Sequence, residues 1–472
     1  TIATAQSRVY TTNIDFDEGT LVNVNHDIAD QLQLSRFAGT FPFICIALSS
    51  RGTIVRMDVQ TGSILGEYRS APNGRGRNPS RTTVDLEGNV WAGNRAANWN
   101  NTGSVVKVGL VIGGTRGIKN LDGSFTPDPN GGYLAPPFEY NTAVDRDGDG
   151  LIRTSRGLGD ILSWPDVTDG VGGPTARVED AEDECILLFQ RAGYPGTRHV
   201  TVDQDNNIWI AGYPGSPRLF ELVAGDDGAI LDSFTAPVGG YGGLIDGNAV
   251  LWSASISENS LLRHDLITGT SLALPIRQSY GLGLDSQGYV WNAMWTVNQV
   301  VKLSPGGLPE PTFPVPTGGM GCRGVAVTPS DDHVWVANSY TNNVSRLTNA
   351  GSLLKTVSVG YHPTGVAVDA FGKVWVTNLN SNDAMRIDPN GDVDGLGAAD
   401  LTVNFRAGAG PYNYSDMTGL VAFAGTARQG TWTVVFDGGR NAIDWGKLSW
   451  TSMEPPGTSI DVDVRAADTE TG

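Results

Sequence analysis

"TGVAVDAFGKVWVTN", residues 364–378, reads as one β-hairpin: a strand of small and β-branched residues, an Asp- and Gly-bearing turn, and a Val-Trp strand. About 40 residues earlier the chain writes nearly the same phrase, "RGVAVTPSDDHVWVAN" (323–338). Aligning on the residue that closes the first strand brings out "SRTTVDLEGNVWAGN" (80–94), "RHVTVDQDNNIWIAG" (198–212), "YGGLIDGNAVLWSAS" (241–255) and "YGLGLDSQGYVWNAM" (280–294). From the second copy on, that marker falls at 203, 246, 285, 328 and 369. A period of about 40 residues is one four-stranded propeller blade.

The parts of each copy predict where it packs. Trp91, Trp209, Trp252, Trp291, Trp335 and Trp375 fall in register, so they are expected to fill the space between blades and not to bind a ligand. A third strand follows with a basic residue beside an apolar one ("VVKV", "VVKL", "VSRL", "AMRI"), and an outer strand such as "SLLKTVSV" ends the unit. A seventh copy is split. "FICIALSSRGTIVRMDVQTGSILGEY" (43–68) supplies its last three strands and "YSDMTGLVAFAG" (414–425) its first, which would close a ring with no open edge.

This repeat resembles the NHL and streptogramin-lyase-like (virginiamycin B lyase) propeller group over roughly residues 41–425. The resemblance implies a seven-bladed propeller and raises the prospect of a lyase. Such lyases pair a His with a Glu shortly after the blade tryptophan, and a divalent metal. Here Asn94, Asn338 and Asn378 stand at that place, and His26, His264 and His333 fall away from the channel mouth. A His-Glu general base therefore lacks half its parts.

The chain ends read differently. Residues 430–469 alternate like sandwich strands and resemble jelly-roll-like modules of bacterial surface proteins, in which a segment similar to "DFDEGTLVNVNHDIADQLQLS" (15–35) opens the domain. The expected architecture is all-β: a seven-bladed propeller (41–425) inserted in or flanked by a β-sandwich made of 1–40 and 426–472. Strands expected after residue 469 are absent, which predicts self-association by strand addition, as in a surface filament.

Composition agrees with this class. Glycine is 62 residues and charged residues 17%, and clear helical periodicity is scarce. A net charge of −18 argues against a nucleic-acid partner, which needs a basic face. No run reaches the ~18 apolar residues of a membrane-spanning helix. The chain begins at Thr1 with no leader, which suits a processed protein that is secreted or held at the cell surface. Cys45, Cys185 and Cys322 permit one disulfide or none.

Two sets of residues carry candidate chemistry. Residues 112–197 form a Gly- and Asp-rich insertion expected to separate the second and third blades; it contains "DRDGDGLIRTSRGLGD" (145–160), where Asp145, Asp147 and Asp149 match the first half of an EF-hand loop. Arg156 replaces the usual twelfth-position Glu, so Asp160 or Asp166 would have to complete the shell. Asp388, Asn390, Asp392 and Asp394 repeat the spacing, and an ordinary Asn-Gly turn explains them equally well. Structural Ca²⁺ is the expected cofactor. The second set comes from counting five positions before each marker: Ser80, Arg198, Tyr241, Tyr280, Arg323 and Thr364, with His199 and His362 adjacent. Arginines, tyrosines and histidines around one channel mouth suit an anionic or sugar ligand. The leading expectation is thus a non-enzymatic extracellular platform for an unidentified ligand or protein partner. A lyase acting on a streptogramin-like or carbohydrate substrate at the mouth is the alternative, and a filament subunit the third.

Overall fold

The computed structural model describes residues 7–22, 24–26, 28–34, 41–95, 103–165, 178–213, 215–421, 430–438, 446–454 and 458–466. The chain divides into two compact units, 39–425 and the paired ends 1–38 with 426–472.

In the larger unit, six antiparallel four-stranded meanders and one three-stranded sheet follow the sequence repeat. The innermost strands neighbour one another in chain order: Phe43–Leu48, Pro79–Val84, Thr197–Val202, Gly243–Ile245, Ser279–Leu284, Cys322–Val327 and Pro363–Val368. This is a propeller-type all-β arrangement.

The opening hairpin explains why the phrase recurs. One carboxylate oxygen of Asp369 accepts the backbone N–H groups of Phe371 and Lys373, both at 2.9 Å, which fixes the turn. The other oxygen accepts the indole N–H of Trp375 at 2.8 Å. Gly372 takes the positive φ the turn needs. The same clasp joins Asp85 to Trp91 (3.0 Å), Asp246 to Trp252 (2.9 Å) and Asp285 to Trp291 (3.1 Å), while the Thr328 hydroxyl serves Trp335. The basic residue of the third strand then lies over the ring, as Lys107 does on Trp91, Lys302 on Trp291 and Arg346 on Trp335. Lys107 and Lys302 also face the marker carboxylates of Asp85 and Asp285 at 3.6 and 3.4 Å. Every one of the six tryptophans is buried. They are scaffold.

The ring closes through an irregular segment. Residues 410–417 run beside Phe43–Leu48: the Cys45 amide donates to the Met417 carbonyl (2.9 Å), Ser49 to Gly410 (3.0 Å), and the Tyr412 amide to Ala47 (3.2 Å). On the opposite side the Asn413 carbonyl accepts from Thr377 Oγ1 and presses so closely on Gly365 that a Cβ there would sit 1.6 Å from it. The pairing thus begins at Gly410, ahead of the expected start at 414, and it forms no regular strand.

The long insertion also differs from expectation in its place. It leaves after Ser104–Val108, the third strand of its blade, and the chain returns to supply the fourth, Ile186–Arg191, so it lies within a blade and not between two. It carries its own sheet, ordered Phe125–Pro127, Val111–Lys119, Tyr133–Asn141, Ile152–Arg153. Buried Trp164 packs edge-on against Phe189 of the blade and anchors the insertion.

In the smaller unit both chain ends meet, and the described residues form two short two-stranded sheets. Thr20–Val22 pairs with Thr431–Thr433, and Val24–Asn25 with Gln33–Leu34. A one-turn helix, Asn13–Phe16, opens with a capping box at Thr12. Trp432 closes this small core, its ring edge-on to Phe16 and its indole N–H on the Phe16 carbonyl at 2.9 Å. Described residues after Thr433 carry no strand. Among the described residues no helix is long and apolar enough to cross a membrane. All three cysteines are buried free thiols.

Candidate functional site

The mouth of the ring is built by bulges. The register slips as the innermost strands begin, between Pro79 and Arg81, Thr197 and His199, Ser279 and Leu282, Cys322 and Val325, and Pro363 and Gly365. A bulge leaves a residue unpaired and re-aims its side chain. The slips contain Ser80, Arg198, Tyr280, Arg323 and Thr364, five of the six residues that counting from the marker selects.

Four arginines and four tyrosines meet there. The Arg323 guanidinium donates to the hydroxyls of Tyr280 and Tyr412, each at 3.3 Å, and lies 5.2 Å from the Trp295 ring. The Tyr280 and Tyr412 hydroxyls are 2.6 Å apart, and the Tyr241 hydroxyl donates to Tyr280 at 3.3 Å. Arg198 reaches the Tyr241 hydroxyl at 3.4 Å, and Arg95 sits 4.7 Å from the Tyr412 ring. Beneath them, Arg81 is fully buried against Tyr414 and donates to the carbonyls of Ser80 and Tyr241. Below the cluster a narrow cavity is lined by Thr83, Val200, Thr201, Tyr280, Tyr414 and Asp416.

The electrostatics are one-sided. Among the described residues no carboxylate pairs with Arg81, Arg95, Arg198 or Arg323; phenols and carbonyls surround them. Burial pulls Arg81 and Arg95 below their ordinary pKa. At Arg198 and Arg323 burial acts the same way, but the facing phenols outweigh it and raise both. Tyr412 shows the reverse balance: burial opposes its ionisation, yet Arg323 and the phenol hydrogen bonds bring its hydroxyl down to about 7. The Nε atoms of Arg81, Arg95 and Arg323 and the Tyr414 hydroxyl are buried without a hydrogen-bond partner. Such groups are costly to leave unpaired.

Of the sequence-selected residues, Arg198, Tyr241, Tyr280 and Arg323 share this site. Ser80 contributes only its carbonyl, and Thr364 is buried on Thr377 Oγ1 at 2.9 Å. His199 points into its own blade, with Nδ1 on Ser253 Oγ at 3.0 Å and its ring edge-on to Phe220; burial lowers it to about 3, so it stays neutral. His362 is half-buried at the rim, 5.9 Å from the Tyr340 ring, and is lowered by burial and then by Arg323. Arg81, Arg95, Tyr412 and Tyr414 are the members that the count from the marker misses. Arg81 lies one position past its bulge, Arg95 follows a second strand, and both tyrosines belong to the closing segment.

The lyase positions have structural work. The Asn94 amide donates to Ser70 O (2.8 Å) and Ser104 Oγ (3.1 Å), Asn338 to Asn343 Oδ1 (2.8 Å) and Ser345 Oγ (2.7 Å), and Asn378 to Asp383 (2.7 Å).

Of the metal candidates, Asp145, Asp147 and Asp149 gather with ligand atoms within 4.8 Å of one another. Asp145 accepts the amides of Gly148, Asp149 and Gly150, and Lys119 bridges Asp147 and Asp149 from the adjacent strand. Glu184 clamps both ends of the loop by accepting the amides of Arg146 and Arg153, each at 2.7 Å. Asp160 is taken by Arg156 at 2.8 Å, and Asp166 lies outside the described residues. Asp388 pairs with Lys373, and Asp392 and Asp394 share Lys355; with Asn390 they form no such group.

Neither a known family nor a curated protein matches the chain. Solved propeller structures do resemble it. Virginiamycin B lyase from Staphylococcus aureus is similar over 73% of this chain and 89% of its own, at 16% identity and a TM-score of 0.45. A periplasmic gluconolactonase from Pseudomonas aeruginosa is similar over 83% and 99%, at 12% identity and 0.47. A protein from Lactobacillus plantarum is similar over 80% and 97%, at 12% identity and 0.49.

Proposed function

We propose that this protein is an extracellular binding module whose propeller holds an anionic ligand at the arginine-tyrosine mouth. The observation that carries the reading is four converging guanidinium groups without a carboxylate, in a chain of net charge −18. Acidic side chains are abundant elsewhere and none described forms an ion pair with these arginines, so the local field favours an incoming anion. Arginine forks suit carboxylate, sulfate or phosphate oxygens, and the orphaned Nε atoms supply unused donors. The three-aspartate loop, clamped by Glu184, is a Ca²⁺ site of structural purpose in this reading.

Titration calorimetry with inorganic sulfate tests the anion site. Binding should weaken with added salt, and Arg198→Gln should reduce affinity about tenfold or more, as expected for losing a charge-assisted contact. Sulfate binding unaffected by Arg198→Gln would refute it.

One observation favours a second reading, catalysis at the same mouth. Tyr412, lowered to about 7 and partly exposed, is a phenolate base poised beside Arg323. A lyase would use it to take a proton next to an anionic group, and turnover on a panel of lactones and acidic polysaccharides, lost in Tyr412→Phe, would replace the binding reading.

A further inference from the structure

The arginine floor is one part of a larger surface. The loops at this end of the ring carry aromatic side chains that are packed on one side and open on the other. Tyr213 follows Ile208–Gly212, Trp295 follows Val290–Met294 and Tyr340 follows Val334–Asn338, while Tyr361 and His362 precede Pro363–Val368. Tyr340 is 50% and Tyr361 69% exposed. Tyr340 is held in place: its ring lies over Gly321, where a Cβ would come within 2.6 Å, and its amide donates to the Met320 carbonyl at 3.0 Å. Gly321 is two residues from Arg323. Arg323 thus lies 5.2 Å from the Trp295 ring, and the Tyr340 ring lies 5.9 Å from His362, which follows the exposed Tyr361 in the chain.

We infer that the ligand is an acidic oligosaccharide, seated with the carboxylate of a terminal sugar on Arg198 and Arg323 and with its following sugars stacked on Tyr340 and Tyr361. This rests on the anion-site reading above and names its ligand class. Charge on the floor and exposed rings on the rim divide the work as a charged sugar requires. The carboxylate takes the guanidinium fork, and the apolar C–H face of the next ring lies on an aromatic surface. A nucleic acid would need cations spread along its phosphates, and the described rim beyond Arg95, Arg198 and Arg323 offers aromatic faces instead. A free inorganic anion would use the floor and leave the rim idle.

The test is calorimetry on the full chain with galacturonic acid, its tetramer, the fully methyl-esterified tetramer, a glucuronate-containing tetrasaccharide and inorganic sulfate. At least one acidic tetramer should bind about tenfold or more tighter than the monomer, roughly the increment of one stacked ring. The esterified tetramer should not bind. Tyr340→Ala combined with Tyr361→Ala should bring the tetramer to the monomer's affinity and leave the monomer unchanged. Tetramers no tighter than the monomer, or an ester as tight as the acid, overturn the inference without recourse to any variant. Sulfate binding with no uronate binding leaves the anion site standing and removes the saccharide. Failure of every anion, sulfate included, removes both.

Discussion

Tyr412 ties the site to pH. Its hydroxyl, 2.6 Å from Tyr280 and 3.3 Å from Arg323, ionises near 7 in the folded chain and near 10 in the unfolded one. Between those values the unfolded state keeps a proton that the folded state has released. Stability from this group is therefore complete above about 10 and is lost as pH falls through about 7. Ligand binding runs the opposite way, because the phenolate cancels charge on Arg323 that an anion needs. Sulfate affinity is expected to fall between about pH 6 and about pH 8, and Tyr412→Phe should flatten that profile; calorimetry at the two values decides it. His199 gives a second pH effect on stability, of the same sign but in a more acidic window. Burial keeps it neutral down to about 3, while the unfolded imidazole protonates near 6.5. The unfolded state thus binds the proton first, and stability declines as pH falls from about 6.5 towards 3. His199→Gln should show a smaller acid-induced drop in melting temperature than the parent.

At the scale of the element, the hairpin clasp shows what the repeated phrase is for. Asp369 satisfies two turn amides and one indole with a single carboxylate that is 3% exposed. Removing it leaves those donors buried and unpaired, so Asp369→Ala should cost about 1–3 kcal/mol in urea unfolding, while the conservative Asp369→Asn, which keeps an acceptor, should cost less. Thr328 already departs from the Asp pattern and holds Trp335 more loosely, at 3.3 Å. The insertion's acidic loop offers a separate test. Lys119 partly neutralises Asp147 and Asp149, and Ca²⁺ binding would have to displace it. Added Ca²⁺ should raise the melting temperature and Asp145→Asn should abolish the rise; an unchanged melting curve would leave Lys119 as the counter-charge of Asp147 and Asp149.

For the whole molecule, the repeat was legible because its tryptophans and markers recur in register, each fixed by the same local chemistry. The closing segment was harder to read because residues 410–417 carry neither marker nor tryptophan and follow no strand alternation; their place is set by contacts with chain more than 300 residues away. The site divides along the same line. Arg198, Tyr280 and Arg323 sit on bulges at a fixed offset and can be counted out, whereas Arg81 and Arg95 reach the mouth from outside that offset and Tyr412 and Tyr414 arrive only when the ring closes. Closure and ligand site are therefore coupled, and this yields a prediction for the ring as a unit. The Asn413 side-chain amide donates to Thr82 Oγ1 at 2.7 Å while its carbonyl accepts from Thr377 Oγ1, so one residue joins the sheets on either side of the seam. Asn413→Ala keeps the carbonyl and loses the amide, leaving Thr82 short of a buried partner. It should cost about 1–3 kcal/mol in urea unfolding and, by loosening the flanking tyrosines, weaken sulfate binding at a site it does not touch. Ending the chain at Asn404 instead removes the whole seam with Tyr412 and Tyr414. It uncovers the edges of Phe43–Leu48 and Pro363–Val368, so the chain should unfold without a sharp transition and associate through those edges in size-exclusion chromatography. A sharp transition and a monomeric elution for that shortened chain would mean that the other sheets hold the ring without its seam.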